Sequence, residues 1–256
     1  MDSRRLAYLR AMDIDVWERR DRVLPSAEPI AETAPETAQP EIVALREVAA
    51  PEVVRIEHHA AGLGWEALEA AVRSCQRCPL HASRTQGVFG VGNRRASWFV
   101  IGEAPGADED RQGEPFVGRA GQLLNSMLKA MGLAREEVYI ANILKSRPPN
   151  NRDPRPEEVR ECIPYLYRQI ELVNPRLILC VGRIAAQTLL GTDTPIGKLR
   201  GKLHHLPALQ PGGQPRPMVV TYHPAYLLRS PADKRKAWSD LVLAMQTFER
   251  LGGAST

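Results

Sequence analysis

Three stretches of this chain concentrate side chains able to do chemistry. The first is Gly102-Glu103-Ala104-Pro105-Gly106-Ala107-Asp108-Glu109-Asp110, which places four acids within eight residues, followed by Gly113-Glu114-Pro115-Phe116-Val117-Gly118. Carboxylates held together in a glycine- and proline-shaped loop suit acid, base or electrostatic work, and an aromatic ring beside them suits a planar ligand. The second is Asn142 with Lys145-Ser146-Arg147-Pro148-Pro149-Asn150-Asn151-Arg152-Asp153-Pro154, a basic loop stiffened by prolines. Such a loop suits phosphate contacts, because little conformational freedom remains to be lost on binding. The third is Tyr222-His223-Pro224-Ala225-Tyr226-Leu227-Leu228-Arg229, where the proline fixes the peptide behind an imidazole and two leucines stand ready as a wedge for stacked bases. Taken singly, each has a bland counterpart: a structural glycine turn, a solvated connector, a core-facing histidine with two core leucines.

The elements around these stretches decide between the readings. Ser97–Ile101, Val138–Leu144, Leu177–Val181 and Met218–Tyr222 read as four short buried strands. Between them lie helical patterns at residues 66–73, 118–132, 156–173, 184–190 and 231–251; in the second, Leu123, Leu124, Met127, Leu128 and Met131 share a face. Strands alternating with helices predict a three-layer α/β/α domain around a mostly parallel four-stranded sheet. In such sheets ligands bind beyond the carboxyl ends of the strands. All three stretches follow strands, so they are expected to converge on one edge.

Composition narrows the class further. Apolar residues make up 43% and charged residues 25% of 256, which excludes wholesale disorder. No run of about 18 apolar residues occurs, and the N-terminus leads into no secretory h-region, so neither a membrane span nor export is expected. The net charge of +4 hides an asymmetry: residues 1–64 hold 8 basic and 12 acidic side chains, residues 65–256 hold 26 and 18. A basic core points to a polyanion such as nucleic acid. Residues 1–20 carry a short amphipathic pattern. In 21–64, Pro, Ala and Glu fill 21 of 44 positions, which predicts a disordered linker before a domain at 65–256. Four cysteines, Cys75, Cys78, Cys162 and Cys180, are too few for a disulfide scaffold and should be reduced, as in the cytoplasm.

From Cys75 to the last helix the chain resembles the family 4, iron–sulfur type of uracil-DNA glycosylases, through GEAPGADEDRQGEPFVGRAGQLL, KSRPPNNRDPRPEE and HPAYLLR. The resemblance implies a monofunctional enzyme that hydrolyses the N-glycosidic bond of uracil in DNA and leaves an abasic site. Phe116 would stack on the flipped uracil, and Asn142 would read its edge with a carboxamide that both donates and accepts. Asn151 matches another uracil-binding position. His223 would donate to the oxyanion of the departing base. Glu103 and Glu109 would orient water and stabilise the cationic sugar; the sequence does not rank them. Arg147, Arg152, Leu228 and Arg229 would lie against DNA.

Two positions depart from the family pattern. The [4Fe–4S] cluster of the family takes four cysteines, and Cys75, Cys78 and Cys162 match three of them, but Ser146 stands at the fourth. Cys180 could substitute, although an apolar strand argues for a core residue. Ala225 replaces the serine usual after His-Pro, which removes one hydroxyl. The segment SRRLAYLRAMDIDVW is similar to the start of the psi subunit of bacterial DNA polymerase III, which implies the chi subunit as partner and Leu9, Ile14 and Trp17 as its anchors. A monomeric enzyme is expected. The alternatives are a psi-like replisome adaptor whose glycosylase fold has little activity, and a generic nucleotide-binding α/β domain. The last explains the glycines but not Phe116, Asn142 and His223 together.

Overall fold

The computed structural model describes residues 59–209 and 213–252. The segment 1–20, with Leu9, Ile14 and Trp17, and residues 21–58 of the expected linker lie outside the described residues. Residues 59–64, also expected in the linker, instead pack on the domain: Ala60 is fully buried and the Leu63 carbonyl accepts from Arg168 Nε at 2.7 Å. Four parallel strands form the centre of the sheet: β2 (Trp98–Gly102), β3 (Tyr139–Asn142), β4 (Leu177–Val181) and β6 (Arg216–Thr221). Two further strands make it six. β1 (Val91–Gly92) pairs antiparallel with β3 at one edge, and β5 (Leu203–Leu206) pairs antiparallel with β6 at the other. The sequence hides both, since β1 has two residues and β5 alternates exposed and covered positions without an apolar run.

The strand order β1-β3-β2-β4-β6-β5 creates the site. From β2 the chain moves outward to β3, then crosses back to β4 on the other side of β2 and continues outward to β6. The connections of β2 and β4 therefore diverge, and a crevice opens beyond their carboxyl ends. Register completes it: Gly102 lies directly beside Asn142, so the acidic loop and the Asn142 carboxamide start from adjacent strand ends.

Each central strand is buried from both sides, and its residues alternate between two cores. Val100, Ile140, Leu179 and Val219 face α3 (Arg119–Ala130) and α8 (Lys234–Arg250). Phe99, Ile101, Ala141, Ile178, Cys180 and Val220 face α4 (Pro156–Val173) and α5 (Arg183–Leu190). Cys180 is thus a core residue. A third cluster joins α1 (Trp65–Arg73) to Leu80, Phe89, Leu144, Cys162 and Tyr165. Among the described residues, no helix is long and apolar enough to cross a membrane.

Three short helices stand where the sequence reads as loop. α2 (Ala107–Gln112) forms because Glu109 reaches back to the Gly106 N–H at 3.0 Å, and because Asp108, Glu109 and Asp110 favour a helix start. α6 (Ile196–Leu199) is a single turn. α7 (Pro224–Arg229) starts with Pro at its first position and His223 as N-cap. The last changes a reading of the sequence: Leu227, expected in a loop wedge, is wholly buried in the core, while Leu228 alone is exposed.

Candidate active site

A cleft of about 720 Å³ opens at the carboxyl edge of the sheet. Its walls come from all four parallel-strand ends, including Glu103, Glu109, Phe116, Asn142, Asn151, Arg152, Arg183, His223 and Arg229. The sheet thus brings together residues spread over more than 120 positions of sequence.

Phe116 sits at the floor in the left-handed region at φ 56° and is almost fully buried. That backbone is held by Glu109, whose carboxylate accepts the N–H groups of Val117, Gly118 and Gly106, each at 3.0 Å. Three backbone donors occupy both oxygens, so Glu109 shapes the loop. Gly121 is required by close approach, because a Cβ there would fall on the Phe116 carbonyl. At Gly102 a Cβ would meet both the Phe116 ring and the Asn142 carboxamide.

Asn142, at the end of β3, is 2% exposed. Its Oδ1 is the one buried side-chain oxygen or nitrogen without a hydrogen-bond partner among the described residues. A buried acceptor left unpaired costs about 1–3 kcal/mol, so a native protein keeps one where something else satisfies it.

The His223 ring stacks against Phe116 with centroids 5.6 Å apart and planes 30° from parallel. The Ala225 N–H donates to Nδ1 at 3.1 Å, which leaves the proton of the neutral ring on Nε2. Burial, helped by the Arg229 cation, depresses the imidazole to about 4, so the ring is neutral near pH 7. Glu103 has the opposite shift. Burial raises its carboxyl to about 7, Asp153 adds to the rise, and Arg183 opposes it. Among the described residues its carboxyl has no hydrogen-bond partner. The structure therefore separates the two acids that sequence leaves unranked: Glu109 is spoken for, and Glu103 faces the cleft unbound.

At the mouth, Asn151 is exposed at φ 53° and its Oδ1 accepts from Arg147 Nε at 2.8 Å. Arg152 forks onto Glu158 at 2.9 and 2.5 Å, which ties it to the first turn of α4. Leu228 and Arg229 are exposed on α7 beside the mouth. Sequence reasoning passed over Arg183 and its partner Asp153, 2.6 Å apart across the cleft. The signal was available: Arg183 follows β4 after Gly182, at the one parallel-strand end without a conspicuous polar stretch. Lys145 was also passed over. It is fully buried, and burial pulls its ammonium down to about 7.

The cysteine corner lies apart from the cleft. Cys162 is buried, its Sγ accepts the Lys145 N–H at 3.1 Å, and burial pushes its thiol up to about 12. Cys75 and Cys78 flank it in the same apolar cluster. Ser146 contributes a hydroxyl, not a thiol, and that hydroxyl accepts from Arg84 Nη1 at 2.8 Å. The other arm of Arg84 reaches the carbonyls of Arg73 and Cys75 at 2.8 and 2.9 Å. Among the described residues, no group of three or more His, Cys, Asp or Glu side chains is placed to hold a metal ion. Three thiols and a hydroxyl engaged with a guanidinium do not fit a four-thiolate iron–sulfur cluster.

Residues 89–242 match the family model of the uracil DNA glycosylase superfamily. The chain belongs to this superfamily. It is 47% identical over 182 residues to a type-4 uracil-DNA glycosylase of Archaeoglobus fulgidus, spanning 68% of this chain and 90% of that protein. A type-4 uracil-DNA glycosylase of Thermotoga maritima is 44% identical over 64% of this chain and 83% of its own length. A type-5 uracil-DNA glycosylase of Pyrobaculum aerophilum is more distant, at 29% over 53% of this chain and 64% of that protein. The matches to the superfamily model and to the type-4 glycosylases agree with the resemblance carried by the three stretches.

Proposed function

We propose that this chain is a DNA repair enzyme that hydrolyses the N-glycosidic bond between uracil and deoxyribose. The observation that carries the reading is the unpaired Asn142 Oδ1, buried in the cleft beside Phe116 and the neutral His223.

A base can enter this cleft only after leaving the duplex stack. Phe116 supplies the face on which the uracil ring lies. Asn142 Oδ1 accepts the N3–H of uracil while its Nδ2 donates to O4. Cytosine presents an acceptor at N3 and a donor at C4, so both contacts invert. Each unmet polar group in a closed pocket costs about 1–3 kcal/mol, and hydrogen-bonding pockets of this kind discriminate strongly. As the bond to C1′ breaks, N1 leaves with the electron pair and charge spreads onto O2. The His223 Nε2–H donates to that oxygen. A neutral donor suffices and spares the ground state a buried cation. The sugar carbon becomes cationic, and water attacks it under the ionised Glu103, which takes the water proton. Glu109 keeps Phe116 in place. Arg147, Arg152, Leu228 and Arg229 form the rim that meets DNA; Asn151, expected from the resemblance to bind uracil, is exposed at the mouth with its Oδ1 taken by Arg147 and joins this rim instead. No iron–sulfur cluster enters these steps.

The glycosylase domain spans residues 65–256 and acts as a monomer in the cytoplasm. Residues 1–20 bind the chi subunit of a replicative polymerase through Leu9, Ile14 and Trp17, with 21–58 as tether; the psi-like pattern is their support. Cleavage of a uracil-containing oligonucleotide after alkali treatment tests the enzyme. Wild-type protein cleaves, His223→Ala falls by about two orders of magnitude or more, and wild-type protein no better than His223→Ala rejects the reading. Retention of chi by the full chain but not by residues 21–256 tests the arm.

A further inference from the structure

Lys145 is 1% exposed and lies three residues beyond the end of β3, under the base-facing strand ends. Burying an amine of this kind is costly, and such groups persist where they are hydrogen-bonded. Its Nζ donates to the main-chain carbonyl of Asn142 at 2.9 Å and to Gln169 Oε1 at 2.6 Å. Gln169 is itself wholly buried on α4, and its Nε2 donates to the Phe89 carbonyl at 2.9 Å and the Tyr139 hydroxyl at 3.1 Å. A continuous chain of hydrogen bonds thus runs from α4, through Gln169 and Lys145, to the peptide that carries the Asn142 side chain.

The strand end needs such a brace. Main-chain bonds Ile143 N–H to Gly102 and Leu144 N–H to Glu103, both 3.0 Å, tie the following residues to β2. The Ile143 N–H lies in the same peptide plane as the Asn142 carbonyl, so its bond to Gly102 holds that plane, and with it the ψ torsion next to the Asn142 side chain, from one edge, and Lys145 holds it from the other. Lys145 does not itself line the cleft and reaches it only through the Asn142 main chain. We propose that Lys145 is a positioning residue for excision: through the Asn142 carbonyl, with Gln169 as its anchor, it completes the two-sided hold on the peptide from which the Asn142 carboxamide meets the base.

This inference rests on Asn142 as the base reader. It is tested on the full-length protein by a double-mutant cycle with Lys145→Met and Asn142→Ala, read by single-turnover excision from a uracil-containing oligonucleotide. Binding to abasic-site DNA and the thermal midpoint are measured in parallel. Lys145→Met is expected to slow excision ~10–100-fold, the range for one lost charged or buried hydrogen bond. Abasic-site affinity should stay within about twofold, since the rim is untouched. In the Asn142→Ala background the same change should cost less than about twofold, because the group it orients is gone. Gln169→Leu, which removes the anchor only, should show the same pattern at smaller size and serves if Lys145→Met fails to fold. Equal losses in both backgrounds, or loss of DNA affinity together with excision, would assign Lys145 to general stability and overturn the inference. If Asn142→Ala itself leaves excision unchanged, the base-reader assignment fails first and this inference goes with it.

Discussion

Glu103→Gln should cost activity and raise stability, and the second effect can be worked out from the fold. Burial and Asp153 lift the Glu103 carboxyl from 4.5 to about 7 in the folded protein. A folded-state value above the unfolded one means that the native state holds the proton longer. Its stabilising share is complete below pH 4.5 and is lost as pH rises through about 7. At about 1.4 kcal/mol per pH unit, the ionised side chain costs the fold about 3 kcal/mol at pH 8; solvent in the cleft reduces this to about 2 kcal/mol. Gln keeps the shape and never ionises. The variant should therefore melt about 4–8 °C higher than wild type at pH 8, taking about 2–4 °C per kcal/mol for a domain of this size. The gain should vanish at pH 4.5. His223 complicates absolute curves: with its folded value near 4 against 6.5, it adds stability that is lost as pH falls. It is present in both proteins, so the difference between them isolates Glu103. Differential scanning calorimetry from pH 4.5 to 8, with uracil excision at each pH, gives the answer. A pH-independent difference in midpoint would refute the assigned burial of Glu103, and a stabilised variant with full excision would refute its role.

The neighbours of Glu103 should move its titration in opposite directions. Asp153→Asn removes a charge that raises the carboxyl, so the acid limb of the excision profile shifts to lower pH; Arg183→Gln removes the opposing cation and shifts it higher. Shifts in the same direction would contradict the geometry. Gly121→Ala places a methyl on the Phe116 carbonyl, which forces the Phe116 loop to move. It should cost ~2–3 kcal/mol in denaturant melts and reduce excision more than DNA binding; unchanged excision would free Phe116 from its role. In the cysteine corner, Ser146→Cys completes a four-thiol set. Anaerobically purified wild-type protein should be colourless and folded, while the variant should gain iron and sulfide by chemical analysis. A full [4Fe–4S] complement on wild type would overturn the mismatch read from Ser146 and Arg84.

The parts legible in sequence share a physical cause. The four parallel strands are continuous apolar runs because helices cover both faces, and the helix over 156–173 shows its start through Pro156 at the first turn. The site was legible where a strand end carries unusual polar residues, as with Asn142 and His223. What stayed hidden depends on partners distant in sequence. Nothing around Glu109 tells that three amides consume its carboxylate, because two of them arrive from the loop beyond Gly113. Leu227 and Leu228 are adjacent and alike, yet a short helix sends one into the core and the other outward.

Lys145 and Ser146 carry this furthest, since both lie in a stretch that sequence reads as a basic loop suited to phosphate contacts. Folded, both are buried. Lys145 is turned inward by Gln169, 24 residues away, and Ser146 by Arg84, 62 residues away. The stretch thus divides at Arg147: its first two residues turn inward, Lys145 to the Asn142 carbonyl and Ser146 to the cysteine corner, and the proposed DNA-facing rim begins at Arg147. The two halves should respond differently to substitution. Changes from Arg147 onward that remove cations should weaken DNA binding in a salt-dependent way, by the release of fewer counterions. Changes at Lys145 should slow excision at every salt concentration. Binding and single-turnover rates measured across a salt series separate the two, and a Lys145 effect that fades at high salt would return that residue to the DNA-binding face.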